Sequence, residues 1–215
     1  MKRPDHLKDE ARDEAYEYFD KNIRPLPKTK SGEIDIEAQG LQDNDVDAFR
    51  HAYVSGVFTQ EYSETAADIL GRMNEYFTAD LYSNSRDPRA LNMDLWNNAV
   101  GRKYGNKTRS RKELLKKIHQ GLDNGELITD LKDKRQYSGV KGDPINASKP
   151  VIVLVESKTG RNELFFDTVK REVLTADSFV ALIQAGEYAG YTVKKIKGVL
   201  TPVSTPDGRR KNNLS

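Results

Sequence analysis

One segment of the chain crowds together groups able to move a proton or hold an anion: Asp45-Val46-Asp47-Ala48-Phe49-Arg50-His51-Ala52-Tyr53-Val54-Ser55-Gly56. Steps of three and four residues put Asp47, Arg50, His51 and Val54 on one helical face, beside a stripe of Val46, Phe49, Tyr53 and Val57. Small residues at Ala48, Ala52, Ser55 and Gly56 let neighbouring helices come close. The helix is therefore expected to be buried on most sides, where an aspartate, an arginine and a histidine must find partners. A second segment, Met93-Asp94-Leu95-Trp96-Asn97-Asn98-Ala99-Val100-Gly101-Arg102, has the same character. Asp94, Asn97, Asn98 and Gly101 share a face, and Leu95, Trp96, Ala99 and Val100 supply packing. Adjacent asparagines inside a helix cost roughly 0.5 kcal/mol each relative to alanine, which points to a demand for amide hydrogen bonds.

An imidazole held by a carboxylate can serve as general acid or base, because its free pKa is about 6.5. Asp94 or Asp47 would orient His51, Asn98 would polarise a bond, and Arg50 and Arg102 would clamp a phosphate or a developing oxyanion. The oxygen donors of Asp47, Asp94 and Asn98 offer a different chemistry, the binding of calcium or magnesium. Zinc suits the sequence less well: the chain has three histidines, and neither His6 nor His119 lies at ligand spacing from His51. The competing expectation is a buried hydrogen-bond network that joins two helices and performs no chemistry.

The elements that must position these residues follow from periodicity. Helices are expected over residues 5–22, 46–59, 64–82, 93–103 and 112–124, with Pro25 and Pro27 ending the first and Asp87-Pro88 breaking the third. The third carries the apolar stripe Ala66, Ile69, Leu70, Met73 and Phe77. Residues 138–150 are rich in turn formers and read as a linker. Beyond them come strands at 151–155 and 164–169, a short helix capped by Thr175 and ended by Gly186, and strands at 191–196 and 199–203. The expected fold is a mainly α N-terminal helical domain over residues 1–140 and a small α+β (ββαββ) accessory domain over 150–215.

Composition narrows the function classes. With no cysteine the chain has no disulfide, thiolate ligand or cysteine nucleophile. No run of about 18 apolar residues marks a membrane-spanning helix. The opening Met1-Lys2-Arg3-Pro4-Asp5 lacks the apolar core of a secretory signal, so a cytoplasmic location, or export without a cleaved signal peptide, is expected. The net charge of +2 conceals a split of −8 over residues 1–100 and +10 over the remainder. The densest basic run, Arg102 to Lys117, reads as a solvated helix face; Tyr104 alone interrupts it as a stacking aromatic, which suits base recognition poorly. A phosphate-containing or anionic substrate, or an acidic protein partner, fits this balance better than nucleic acid. Phosphate-binding glycine loops, the G-x-S-x-G elbow and H-E-x-x-H are all absent.

Asp47-Ala48-Phe49-Arg50-His51-Ala52-Tyr53 together with Met93-Asp94-Leu95-Trp96-Asn97-Asn98-Ala99-Val100-Gly101-Arg102 resembles an uncharacterised bacterial domain family. Its members carry D-A-F-R-H-A-Y and, further along, M-D-L-x-N-N-x-x-G-R. The likeness spans residues 40–105. Members often stand at the C-termini of large secreted or toxin-like proteins, so the resemblance implies an enzyme of effector or toxin type. It carries over Asp47, Arg50, His51, Tyr53, Asp94, Asn97, Asn98 and Arg102, of which Tyr53, Asn97 and Arg102 are assigned to substrate binding. The family's Ala-His-Glu-like element is Met73-Asn74-Glu75 here, which keeps the acid and loses the histidine. Helical spacing sets Glu75 opposite the apolar stripe and predicts an exposed surface acid. The C-terminal part is similar to a second small uncharacterised bacterial domain through Thr205, Asp207, Gly208, Asn213 and Leu214, which implies an accessory or binding module. The leading expectation is thus a hydrolase of a phosphoester or envelope-lipid-like substrate working through His51 and Asp94. The alternative is a non-catalytic interaction protein whose polar network is structural and whose basic half binds an acidic partner.

Overall fold

The computed structural model describes residues 3–82, 87–142, 144, 150–206 and 214, with residues 77–82 described by their backbone alone. The chain divides into two units, Met1–Asp143 and Pro144–Ser215. The first holds five helices: α1 (Pro4–Asn22), α2 (Asp45–Glu61), α3 (Glu64–Tyr82), α4 (Pro88–Gly105) and α5 (Arg111–Asp123). Among the described residues no helix is long and apolar enough to cross a membrane.

Helix α2 is the axis of this unit. Asn44 caps it by accepting from the N–H groups of Val46 and Asp47, and twelve of its residues are buried, from Val46 to Thr59. Such burial on nearly every side follows from its composition, since α1, α3, α4 and α5 all pack against it. Helix α4 begins five residues earlier than the apolar period suggests. Pro88 takes the first helical position and the Asp87 side chain accepts from the Arg89 N–H, so the proline starts a helix as well as ending the stretch before it.

The α2–α4 crossing is a backbone contact. A Cβ on Gly56 would lie 2.9 Å from the Gly101 carbonyl oxygen, one on Gly105 would lie 2.5 Å from the Gly56 oxygen, and one on Gly101 would overlap the Ala52 carbonyl. Helices joined this closely bring residues 47–51 of one against residues 94–98 of the other. On its far side α4 is strapped by the irregular segment 125–137. Asn97 exchanges two hydrogen bonds with the Ile128 backbone, both 2.9 Å, the Trp96 indole N–H donates to the Glu126 carbonyl, and Asn92 bonds the backbone of Arg135 and Tyr137. Arg135 lies over the Trp96 ring and donates to the carbonyls of Gly125 and Leu127.

In the α3 stripe Ala66, Leu70 and Met73 are buried and Ile69 is half-buried, whereas the side chain of Phe77 falls outside the described residues. Six of the thirteen linker residues, 143 and 145–149, fall outside them too.

The second unit has β1 (Val151–Glu156), β2 (Asn162–Asp167), β3 (Glu172–Thr175), α6 (Ala176–Gln184), β4 (Tyr191–Ile196) and β5 (Val199–Ser204). Strands β1, β2 and β3 form an antiparallel sheet in that order, and β4 and β5 form a separate hairpin. The unit is α+β as expected, with one strand more than the expected ββαββ. The extra strand, β3, is four residues long and runs directly into the Thr175 cap of α6, leaving too few residues for an alternation to be read. Phe179 centres the core, its ring 5.0–5.2 Å from those of Phe165, Tyr188 and Tyr191. Leu214 packs against this core and donates its N–H to the Ser204 hydroxyl, while Asp207, Gly208 and Asn213 lie outside the described residues.

The crossing yields a direct test. Gly101→Ala should cost about 3 kcal/mol or more, because the added methyl meets backbone and not a movable side chain. Gly71→Ala, whose Cβ would stand 3.6 Å from the Asn98 amide nitrogen, should stay within about 1 kcal/mol of the parent. Equal urea midpoints for the two variants would show that the helices do not meet in this way.

Candidate functional site

The polar cluster is built on three helices. Asp47 sits in the first turn of α2, its Oδ2 accepting the Asp43 N–H at 2.9 Å. One turn on, His51 places Nε2 3.3 Å from Asp94 Oδ1 of α4 and 3.6 Å from Asp47 Oδ1. Its other nitrogen, Nδ1, lies 3.3 Å from Asn98 Oδ1 and 3.4 Å from Glu75 Oε1 of α3. Asn98 closes the ring by donating its amide N–H to Glu75 Oε1 at 3.3 Å. Arg50 Nη2 lies 2.5 Å from Asp47 Oδ1 and 2.7 Å from His51 Nε2.

These contacts fix the tautomer. A guanidinium only donates, so Nε2 facing Arg50 must accept, and the ring proton belongs on Nδ1, where it points to the amide oxygen of Asn98. Electrostatics agree. Burial, and then the charge of Arg50, hold the His51 pKa below its ordinary value against the opposing pull of Glu75 and Asp47, so the ring is neutral at pH 7. Burial works to raise the Asp47 carboxyl, but His51, Arg50 and the Asp43 N–H together hold it below the usual carboxylate value. For Arg50, burial opposes the charge, but Asp47, Tyr16 and Asp94 together outweigh it and keep the guanidinium charged.

Asp47, His51, Glu75, Asp94 and Asn98 are each 7% exposed or less. The Arg50 side chain is 26% exposed and is the part of the cluster that meets solvent. A surface cleft of about 850 Å³ runs between α1 and the 28–36 loop, lined by Arg12, Tyr16, Lys28 and Ile34 among others. Tyr16, on its wall, feels the charges of both Arg50 and Asp47.

Five of the eight motif residues gather here: Asp47, Arg50, His51, Asp94 and Asn98. The other three do not. Tyr53 turns to α1, where its hydroxyl donates to Glu14 at 2.6 Å in a group completed by Arg111 and Glu10. Asn97 is spent on the Ile128 backbone. Arg102 stands one turn beyond Asn98 on the α3–α4 interface, paired with Asp68 at 3.0 Å and donating to the Tyr137 hydroxyl. In the basic run that it opens, Lys103, Lys107, Arg109, Lys112, Lys116 and Lys117 are exposed.

Glu75 corrects the expectation of a surface acid: it is 2% exposed and lies within the ring. The apolar stripe of α3 faces one set of neighbours, and its opposite face, Asp68, Gly71, Arg72 and Glu75 at i, i+3, i+4 and i+7, is also turned inward, toward α4. That polar periodicity was the available signal.

For a cation, the donor atoms of Asp47, His51 and Asp94 lie within 4.8 Å of one another. Of the expected oxygen set Asp47, Asp94 and Asn98, the Asn98 oxygen faces His51 Nδ1, and the imidazole is a further donor beside the two carboxylates. Mixed nitrogen and carboxylate donors suit manganese, iron(II) or zinc better than calcium or magnesium. Arg50 already bonds two of the three donors.

A depressed histidine pKa makes stability depend on pH in a stated direction. The unfolded chain takes up a proton below about pH 6.5 that the folded chain resists, so stability is intact above that value and falls as the pH drops below it. Asp47 is held below 3.8, so its loss belongs to a more acidic range. Urea unfolding at pH 7.5 and 5.5 should show a drop that shrinks in His51→Gln; an unchanged drop would mean another group is responsible.

Residues 28–126 match a family model described as a domain of unknown function, DUF6973. The match is wider than the segment 40–105 that carries the paired motifs, and it contains α2 to α5 with every residue of the cluster. No curated protein and no solved structure matches the chain. A domain of unknown function therefore covers residues 28–126, and it is to this uncharacterised family that the helical unit is similar.

Proposed function

We propose that the cluster on α2, α3 and α4 is the active site of a hydrolase of effector or toxin type, acting on a phosphoester or envelope-lipid-like substrate with His51 as general base. The observation that carries this reading is the oriented imidazole: Nδ1 is held by Asn98, and Nε2, unprotonated at pH 7, faces Asp94 and Asp47. A general base requires one nitrogen fixed, here by Asn98 beside the Glu75 carboxylate that would stabilise the imidazolium, and a lone pair on the other. In the resting state Arg50 covers that lone pair. An anionic substrate entering from the cleft beside Tyr16 offers the guanidinium a better partner and draws it off Nε2. A water then gives its proton to Nε2 as its oxygen attacks phosphorus. The P–O bond to the leaving alcohol breaks, and the imidazolium returns the proton to the departing oxygen. A divalent ion held between Asp47 and Asp94 would supply charge stabilisation to the same displacement.

One observation favours a second reading. Every member except Arg50 is almost wholly buried, and Asp47, His51, Glu75 and Asn98 are joined by hydrogen bonds, as expected of a network that specifies how α2, α3 and α4 pack. On that reading the chain is a non-catalytic interaction protein whose basic half meets an acidic partner.

Turnover of bis(p-nitrophenyl) phosphate and of phospholipid separates the two. His51→Gln and Asp94→Asn should lose about 100-fold or more in kcat with their unfolding transitions nearly unmoved. Activity that survives chelation assigns the step to the histidine; activity restored by manganese or magnesium assigns it to the ion. If the parent chain turns over no phosphoester while His51→Gln unfolds several kcal/mol more easily, the packing role stands and catalysis falls.

A further inference from the structure

We infer that the β4–β5 hairpin of the second unit docks on an anionic phospholipid surface, its tip entering the headgroup layer. The register pairs Ile196 with Val199, so the turn is the two residues Lys197 and Gly198, both at positive φ (49° and 85°), which makes a tight twisted tip. All seven residues from Lys194 to Leu200 are exposed. Nearer its base the hairpin is covered: Tyr191 and Pro202 are buried, and α6 packs on both strands. The tip overhangs this support and is bare.

The composition of the bare part is specific. Ile196, Val199 and Leu200 are 41–46% exposed, three of the six large apolar side chains in the described residues that stand so open. Lys194, Lys195 and Lys197 alternate with them, and no acid occurs between Tyr188 and Pro206. Exposed aliphatics gathered at one point mark a binding surface, and lysines without counter-charges mark an anionic partner.

Strand register selects a bilayer over an acidic protein. Directly paired residues share a face, so Ile196 and Val199 project from one side of the hairpin while Lys195 and Leu200 project from the other. A folded partner would cover one side and leave the opposite aliphatic in water. A headgroup layer surrounds a wedge, takes up apolar groups on both sides, and lets the lysine stems run back to the phosphates. The inference is independent of His51, since the hairpin and the polar cluster belong to different units.

Co-sedimentation of the full chain with vesicles of phosphatidylglycerol and phosphatidylcholine, against phosphatidylcholine alone, tests it. Binding should require phosphatidylglycerol and weaken with salt. Replacing Lys194, Lys195 and Lys197 by glutamine should reduce it about 100-fold, roughly fivefold per lysine. Ile196→Ser with Leu200→Ser, which leaves the charge intact, should reduce it about tenfold or more. Because these side chains are exposed, the unfolding temperature should not move. Leu200→Trp adds a second indole to the single Trp96 and should shift its emission to the blue on anionic vesicles. Equal binding to neutral vesicles, an absent blue shift, or retention on RNA or an acidic protein that ignores the two serine substitutions would overturn it.

Discussion

The geometry of the charged cluster on α2, α3 and α4 depends on how closely α2 and α4 approach. Ala52, Gly56, Gly101 and Gly105 let two backbones touch, and side chains flanking such a contact have nowhere to go but toward each other. His51 precedes Ala52 by one residue, and Asn98 and Asp94 precede Gly101 by about one and two turns. With alanine-sized spacers at those glycines the axes would separate, and hydrogen bonds of 3.3 Å across the interface would open beyond their range. The small residues do not serve the chemistry themselves; they set its distances.

Within that frame the arrangement of charge follows from the cost of burying it. Carboxylates placed beside one imidazole inside a helical core need donors, and the donors come in layers: the Asp43 N–H on Asp47, the Arg50 guanidinium on Asp47 and His51, and the Asn98 amide on Glu75. The imidazole stays neutral because burial and a nearby cation oppose a second positive charge. Arg50 thus stabilises the anion, keeps the base unprotonated and stands at the solvent boundary.

Much of this arrangement was legible in the sequence. The period of α2 named Asp47, Arg50 and His51 as neighbours, and that of α4 named Asp94 and Asn98, because a helix converts spacing into direction without reference to the rest of the fold. What escaped was information held by a partner. Asn97 and Asn98 look alike in sequence, yet one meets an imidazole and the other the backbone of an irregular segment whose path no periodicity reveals. Glu75 was misplaced because a polar face opposite an apolar one was equated with solvent, although α3 is covered on both sides. Tyr53 and Arg102 carry plausible chemistry but are consumed by Glu14 and Asp68, acids on helices whose docking angle the sequence did not state. In the second unit, β3 was lost to its brevity.

The strap along α4 carries a mechanical implication. Asn92, Trp96 and Asn97 hold segment 125–137 by side chains on one flank of the helix, while Asp94 and Asn98 serve the imidazole on the other. The helix behaves as an axle gripped on both sides: a small roll about its length that slackens the strap also swings the amide of Asn98 off the ring. Loosening of a loop that bears no chemistry and loss of the histidine's alignment are one motion seen from opposite ends.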